Sequence, residues 1–88
     1  MEMDVLGSVI FSVVFETERW GLQRDGQTLA TFDSASAAER RGRWLTAQSA
    51  VLGLESQLDI HDRCGQRLGA WRNEGFEPTL ALALSLAA

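Results

Sequence analysis

A chain of 88 residues with 45% hydrophobic content makes one folded domain and excludes general disorder. Its net charge of −4 argues against a dedicated binder of nucleic acid or anionic membrane, which carries a basic excess. One cysteine excludes an intramolecular disulfide and fits a reducing cytoplasm, and no apolar run approaches the length of a membrane span.

Met1 to Gly7 is a loose start, and Glu2 and Asp4 stand where a secretory signal would be basic. Val9 to Phe15 is β-branched and aromatic and reads as a strand. Val9, Phe11, Val13 and Phe15 share one face. Ile10 and Val14 make the other face apolar too, so this strand is expected to be covered on both sides. After the polar connection Glu16 to Arg19, a second strand runs from Trp20 to Arg24 with Trp20 and Leu22 inward. Asp25-Gly26 is a two-residue hairpin signal, and Thr28 to Phe32 is the third strand.

A helix follows from Ser34 to Gly53. Ser34 can accept a bond from an orphan N–H of the first turn, Ser36 with Glu39 offers an alternative capping box, and Gly53 is a left-handed stop. Ala38, Gly42, Leu45, Ser49 and Leu52 fall on one helical face. Gly42 costs about 1 kcal/mol against Ala inside a helix, so close approach to a sheet is the reason to place it there. Arg40, Arg41 and Arg43 flank this face, and Glu39 and Arg43 are spaced to pair at i, i+4.

Ser56 to His61 alternates Leu58 and Ile60 against Gln57, Asp59 and His61, which predicts a fourth strand. Asp62-Arg63-Cys64-Gly65 suits a tight turn, Gln66 to Trp71 is a fifth strand at an edge, and Arg72 to Pro78 is a loop. The tail, Thr79 to Ala88, has no charged side chain. Propensity favours a helix there; the alternation of Leu80, Leu82, Leu84 and Leu86 favours a strand, and helix is preferred. The expected fold is therefore α+β: a small antiparallel sheet, β-β-β-α-β-β along the chain, with one helix on one face and an apolar tail.

Trp20, Leu22, Gly26, Phe32, Ser34, Ala38, Leu45, Ile60, His61 and Gly65 together resemble a small bacterial family, the domain of unknown function 2188. Its pattern is a Trp-containing strand, a Gly turn, a Phe before a Thr or Ser cap, an Ala-rich helix, and a strand ending in His and a Gly turn. Phe76 and Pro78 echo a downstream aromatic and proline. Cys64 departs from the Asp often found there, Leu68 sits one place late, and the Leu tail has no counterpart. The resemblance covers about half the chain. It implies a ββαββ sheet with one helix and supplies no activity.

No motif for a catalytic site, a cofactor or a metal is present. Asp59, His61, Asp62 and Cys64 are the one reactive cluster, but a zinc site needs three or four ligands and no second pair exists, so a solvated hairpin end is the preferred reading. Arg40, Arg41 and Arg43 offer a cationic patch for a phosphate-rich partner, or a solvated helix face with local ion pairs, which is preferred. Trp44 and Trp71 find no place in the main core. Ile10 and Val14, with Leu80, Leu82, Leu84 and Leu86, are more apolar surface than one thin sheet should leave wet. Either the tail folds back over that face or a homodimer covers it. The final Leu86-Ala87-Ala88 also resembles a bacterial degradation tag. These features predict a small bacterial cytoplasmic protein without enzymatic activity that binds another protein or itself, with a nucleic-acid-associated regulator as the alternative.

Overall fold

The computed structural model describes residues 7–72 and 75–87, with eight elements among them. These are β1 (Ser8–Glu16), β2 (Arg19–Arg24), β3 (Gln27–Phe32), α1 (Ala35–Val51), β4 (Glu55–His61), β5 (Arg67–Arg72), β6 (Gly75–Pro78) and α2 (Leu80–Ala87). The loose start expected over residues 1–7 lies, apart from Gly7, outside the described residues. All six strands form one sheet in the order β3-β2-β1-β4-β5-β6.

Two tight hairpins build the N-terminal half. Asp25 and Gly26 turn β2 into β3 with φ of 50° and 89°, the left-handed pair that a two-residue hairpin requires. Thr17 and Glu18 turn β1 into β2 in the same way, with φ of 51° and 64°, although neither is a glycine. The registers place Val13 opposite Leu22, Phe15 opposite Trp20, and Trp20 opposite Phe32, so the apolar side chains of three strands share one face.

Helix α1 lies across that face. The Ser34 hydroxyl accepts from the Ala37 N–H at 3.1 Å and caps the start. At the other end the Gly53 N–H donates to Ala50 and the Leu54 N–H to Ser49, each at 3.0 Å, with Gly53 left-handed at φ 86°. This is a Schellman stop. Ala38, Gly42 and Ser49 are buried against the sheet. The core is Val9, Phe11, Val13, Leu22, Ala38 and Leu58, with Trp20, Phe32, Leu45, Ile60 and Trp71 packed around it.

The α+β class and the single main helix agree with the sequence, but the strand count and strand directions need correction. The sheet is mixed: β1 and β4 pair in parallel, from Ser8 opposite Glu55 to Val13 opposite Ile60. The reason is the crossover. A hairpin returns the chain antiparallel, whereas a connection through the 17-residue helix α1 lets β4 run parallel to β3 and slot in beside β1. β1, apolar on both faces, becomes the central strand rather than a member of a hairpin stack. The predicted loop Arg72 to Pro78 contains a sixth strand, β6, whose Phe76 meets Trp71 at 5.4 Å between ring centroids. β5 is therefore an inner strand, not an edge. Leu52, expected on the buried helix face, is 67% exposed because the helix ends there as its C-cap. The tail is helical, as its propensity requires.

Candidate interaction surfaces

The buried stripe of α1 leaves two flanks. At about 100° per residue, Glu39 and Arg43 emerge on one flank, and Arg41 and Trp44 on the other. The first flank faces β5. There the Trp71 indole N–H donates to the Glu39 carboxylate at 2.5 Å, and the Arg43 guanidinium lies 3.8 Å from the centre of the Trp71 ring. Glu39 and Arg43, spaced to pair with each other, instead meet on Trp71. The indole has an apolar body, a polar N–H and an electron-rich face, and all three are used.

Beside this clamp is a cleft of about 320 Å³ lined by Arg43, Thr46, Ser56, Trp71 and Arg72. Its hydroxyls are committed as donors, Thr46 to the Arg43 carbonyl at 2.8 Å and Ser56 to the Thr46 carbonyl at 3.1 Å. Arg72 pairs with Glu77 at 3.1 Å. On the second flank the Arg41 guanidinium sits 4.6 Å from the ring centre of Trp44, which is 50% exposed. Arg40 is exposed between the flanks. Arg40, Arg41 and Arg43 thus leave the helix in three directions and are not brought together, and two of them rest on indole rings.

The sheet face away from α1 is less apolar than the alternation of β1 suggests. Ile10 is 44% exposed and Val14 half-buried, and neighbouring strands surround them with polar groups. Glu16 accepts from Thr28 at 2.9 Å and from Gln23 at 3.4 Å. Asp59 accepts from Gln57 at 2.8 Å and from Arg67 at 3.2 Å. Pairing side chains across neighbouring strands, and along β4 for Gln57 and Asp59, satisfies them without a covering layer.

Helix α2 packs against β5 and β6, separated from β1 by β4, so Ile10 keeps its exposure. The Thr79 N–H donates to the Leu68 carbonyl at 2.9 Å, and the Thr79 hydroxyl accepts from the Leu82 N–H at 3.3 Å, which anchors and caps the helix. Leu82 is half-buried, whereas Leu80 is 75% and Leu84 63% exposed. The tail leucines therefore divide: one faces inward, two form an outward stripe at i, i+4. The Leu86 side chain and Ala88, and with them the tag-like terminus, lie outside the described residues.

His61 and Cys64 separate at the end of β4. His61 Nδ1 lies 3.1 Å from the Val13 carbonyl oxygen. A carbonyl only accepts, so Nδ1 carries the proton and the ring prolongs the β1–β4 ladder past its last strand pair. Asp62 holds the turn, its carboxylate accepting from the Cys64 and Gln66 N–H groups, both at 2.9 Å, and the Cys64 thiol is exposed. Among the described residues no three His, Cys, Asp or Glu side chains gather to hold a metal ion, and no helix is long and apolar enough to cross a membrane.

No family model, curated protein or solved structure matches this chain. Sequence reading missed the Glu39–Trp71–Arg43 clamp. Its signal was there: a Trp near a strand end and a carboxylate and guanidinium one helical turn apart on a flank.

Proposed function

We propose that this protein is a non-enzymatic interaction module that binds another protein or a second copy of itself. The observation that supports this is the stripe of Leu80 and Leu84 on a helix with no charged side chain. A short helix exposing two leucines in water gains by covering them, about 1.5–3 kcal/mol for each fully buried side chain. The exposed thiol of Cys64 fits a bacterial cytoplasm, where it stays reduced. The alternative, a nucleic-acid-associated regulator working through Arg40, Arg41 and Arg43, has less support, because those side chains diverge and the net charge is −4.

The test is a double substitution, Leu80→Glu with Leu84→Glu. The variant is expected to keep its far-ultraviolet spectrum and to lose the association made through α2, measured by sedimentation with and without proteins retained from the native host. Wild-type protein that associates with nothing overturns the reading; a variant that associates unchanged takes α2 out of the contact surface. Salt-dependent retention on DNA, lost with Arg41→Ala and Arg40→Ala, would transfer support to the alternative.

A further inference from the structure

We propose that β3 is a self-association edge. A second copy of this chain lays its own β3 antiparallel beside this one, about a two-fold axis between Leu29 and Ala30, and joins two sheets into one. The proposal deepens the interaction reading and rests on it, but uses a different surface from α2.

The two edges of the sheet are unlike. β3 is outermost, six residues long, and exposed from Gln27 to Thr31. Its sequence, Gln-Thr-Leu-Ala-Thr-Phe, has no charged residue and no proline. Those are the devices by which a monomeric protein deters a strand from adding to its edge. The opposite edge carries them. β6 has only four residues, ends in Pro78, presents Glu77 in an ion pair with Arg72, and has α2 packed against it. Among the described residues, one edge is blocked and the other is open.

The open edge is complementary to itself. The proposed register sets Leu29 against the partner's Ala30, Thr28 against the partner's Thr31, and Gln27 against the partner's Phe32. No like charges meet, and Thr–Thr is a favourable cross-strand pair. The edge has one irregularity, a bulge between Leu22 and Gln23 that leaves Leu29 as the extra residue, 50% exposed. A bulge twists an edge and discourages a flat intruder. A second copy brings the same bulge to the axis, so the two twists match.

Helix α1 adds to the same seam. A two-fold axis perpendicular to the sheet keeps both α1 helices on one side. The flank bearing Glu39 and Arg43 is turned to β5, so the flank bearing Trp44 is turned toward β3. Dimerisation brings the half-exposed Trp44 side chains toward each other above the paired strands. The interface is isologous and uses each β3 once, and the remaining edges are the two blocked β6 strands. Growth therefore stops at a dimer rather than a filament.

Sedimentation of the wild type beside Leu29→Lys and the Leu80→Glu, Leu84→Glu form tests this. The wild type is expected at twice the 9.7 kDa of one chain. Leu29→Lys, at an exposed site, is expected to raise the dissociation constant about 100-fold with an unchanged circular dichroism spectrum. Should that variant unfold, hydrogen exchange on the wild type decides instead: outward β3 amides protected at high concentration and released on dilution support the edge. A wild-type dimer indifferent to Leu29→Lys, with β3 amides unprotected, overturns the β3 edge. If that dimer is lost in the α2 variant, the interaction reading survives without β3. Monomers throughout, with no partner retained, overturn both.

Discussion

Gly42 of α1 sits so close to Leu58 of β4 that a methyl group on its Cα would lie 2.7 Å and 2.9 Å from the two terminal carbons of Leu58. Leu22 closes the third side at 3.1 Å. Leu58 has no exposed surface, so it has nowhere to swing. Helix propensity and packing therefore make opposite predictions for Gly42→Ala: propensity favours the variant by about 1 kcal/mol, and overpacking opposes it by roughly 1–3 kcal/mol. The expected result is a net loss of about 1 kcal/mol in urea unfolding. A gain would mean that α1 can ride higher on the sheet than its glycine allows it to sit.

The Thr17-Glu18 turn stores strain. Both residues are left-handed, a conformation that costs an L-residue roughly 1–2 kcal/mol, and Thr17 is β-branched as well. Replacing the pair by Asn-Gly, as Thr17→Asn with Glu18→Gly, suits the turn directly. The double variant is expected to gain about 1 kcal/mol, or about 4–8 °C in melting temperature. Unchanged melting would show that the turn relaxes in solution.

The Arg43–Trp71 contact joins α1 to β5 across the sheet. A double-mutant cycle with Arg43→Gln and Trp71→Leu is expected to give a coupling of about 0.5–1 kcal/mol. Additive losses would reduce the stacked geometry to coincidence.

Cys64 is exposed in a turn organised by the Asp62 carboxylate, which accepts from its backbone N–H. Cys64→Ser is expected to unfold within about 0.5 kcal/mol of the wild type and to associate equally well. Lost association would assign the thiol a role.

Local chemistry was the legible part of this chain. The Ser34 cap, the Gly53 stop, the Asp25-Gly26 turn and the face of Val9, Phe11 and Val13 are set by residues close in sequence, and each stands where the pattern put it. The β1–β4 pairing was not legible as a direction, because strand direction is decided by what the intervening segment does in space. Periodicity in Ser56 to His61 reads the same for either direction. β6 was hidden for another reason: four residues containing a proline and two glutamates' worth of polar character nearby read as loop until Phe76 finds Trp71. On the candidate surfaces, the outward stripe of the tail followed from helical spacing. The divergence of Arg40, Arg41 and Arg43 follows from the same spacing, whereas the seat of Arg43 on Trp71 depends on where β5 lies.

The parallel pairing of β1 with β4 also sets an order of events during synthesis. β2 reaches its neighbour after a two-residue turn, so one side of β1 is closed almost as soon as it is made. The other side waits for Glu55 to His61, after a second hairpin and the whole of α1. Until then the most apolar strand of the protein offers a bare edge to any neighbouring chain. Pairings of such long sequence separation form late, and nascent strands with open edges aggregate. Fragments that stop short of Glu55 are thus expected to precipitate rather than fold, and a host under heat stress is expected to lose this protein first from its ribosomes rather than from its finished pool.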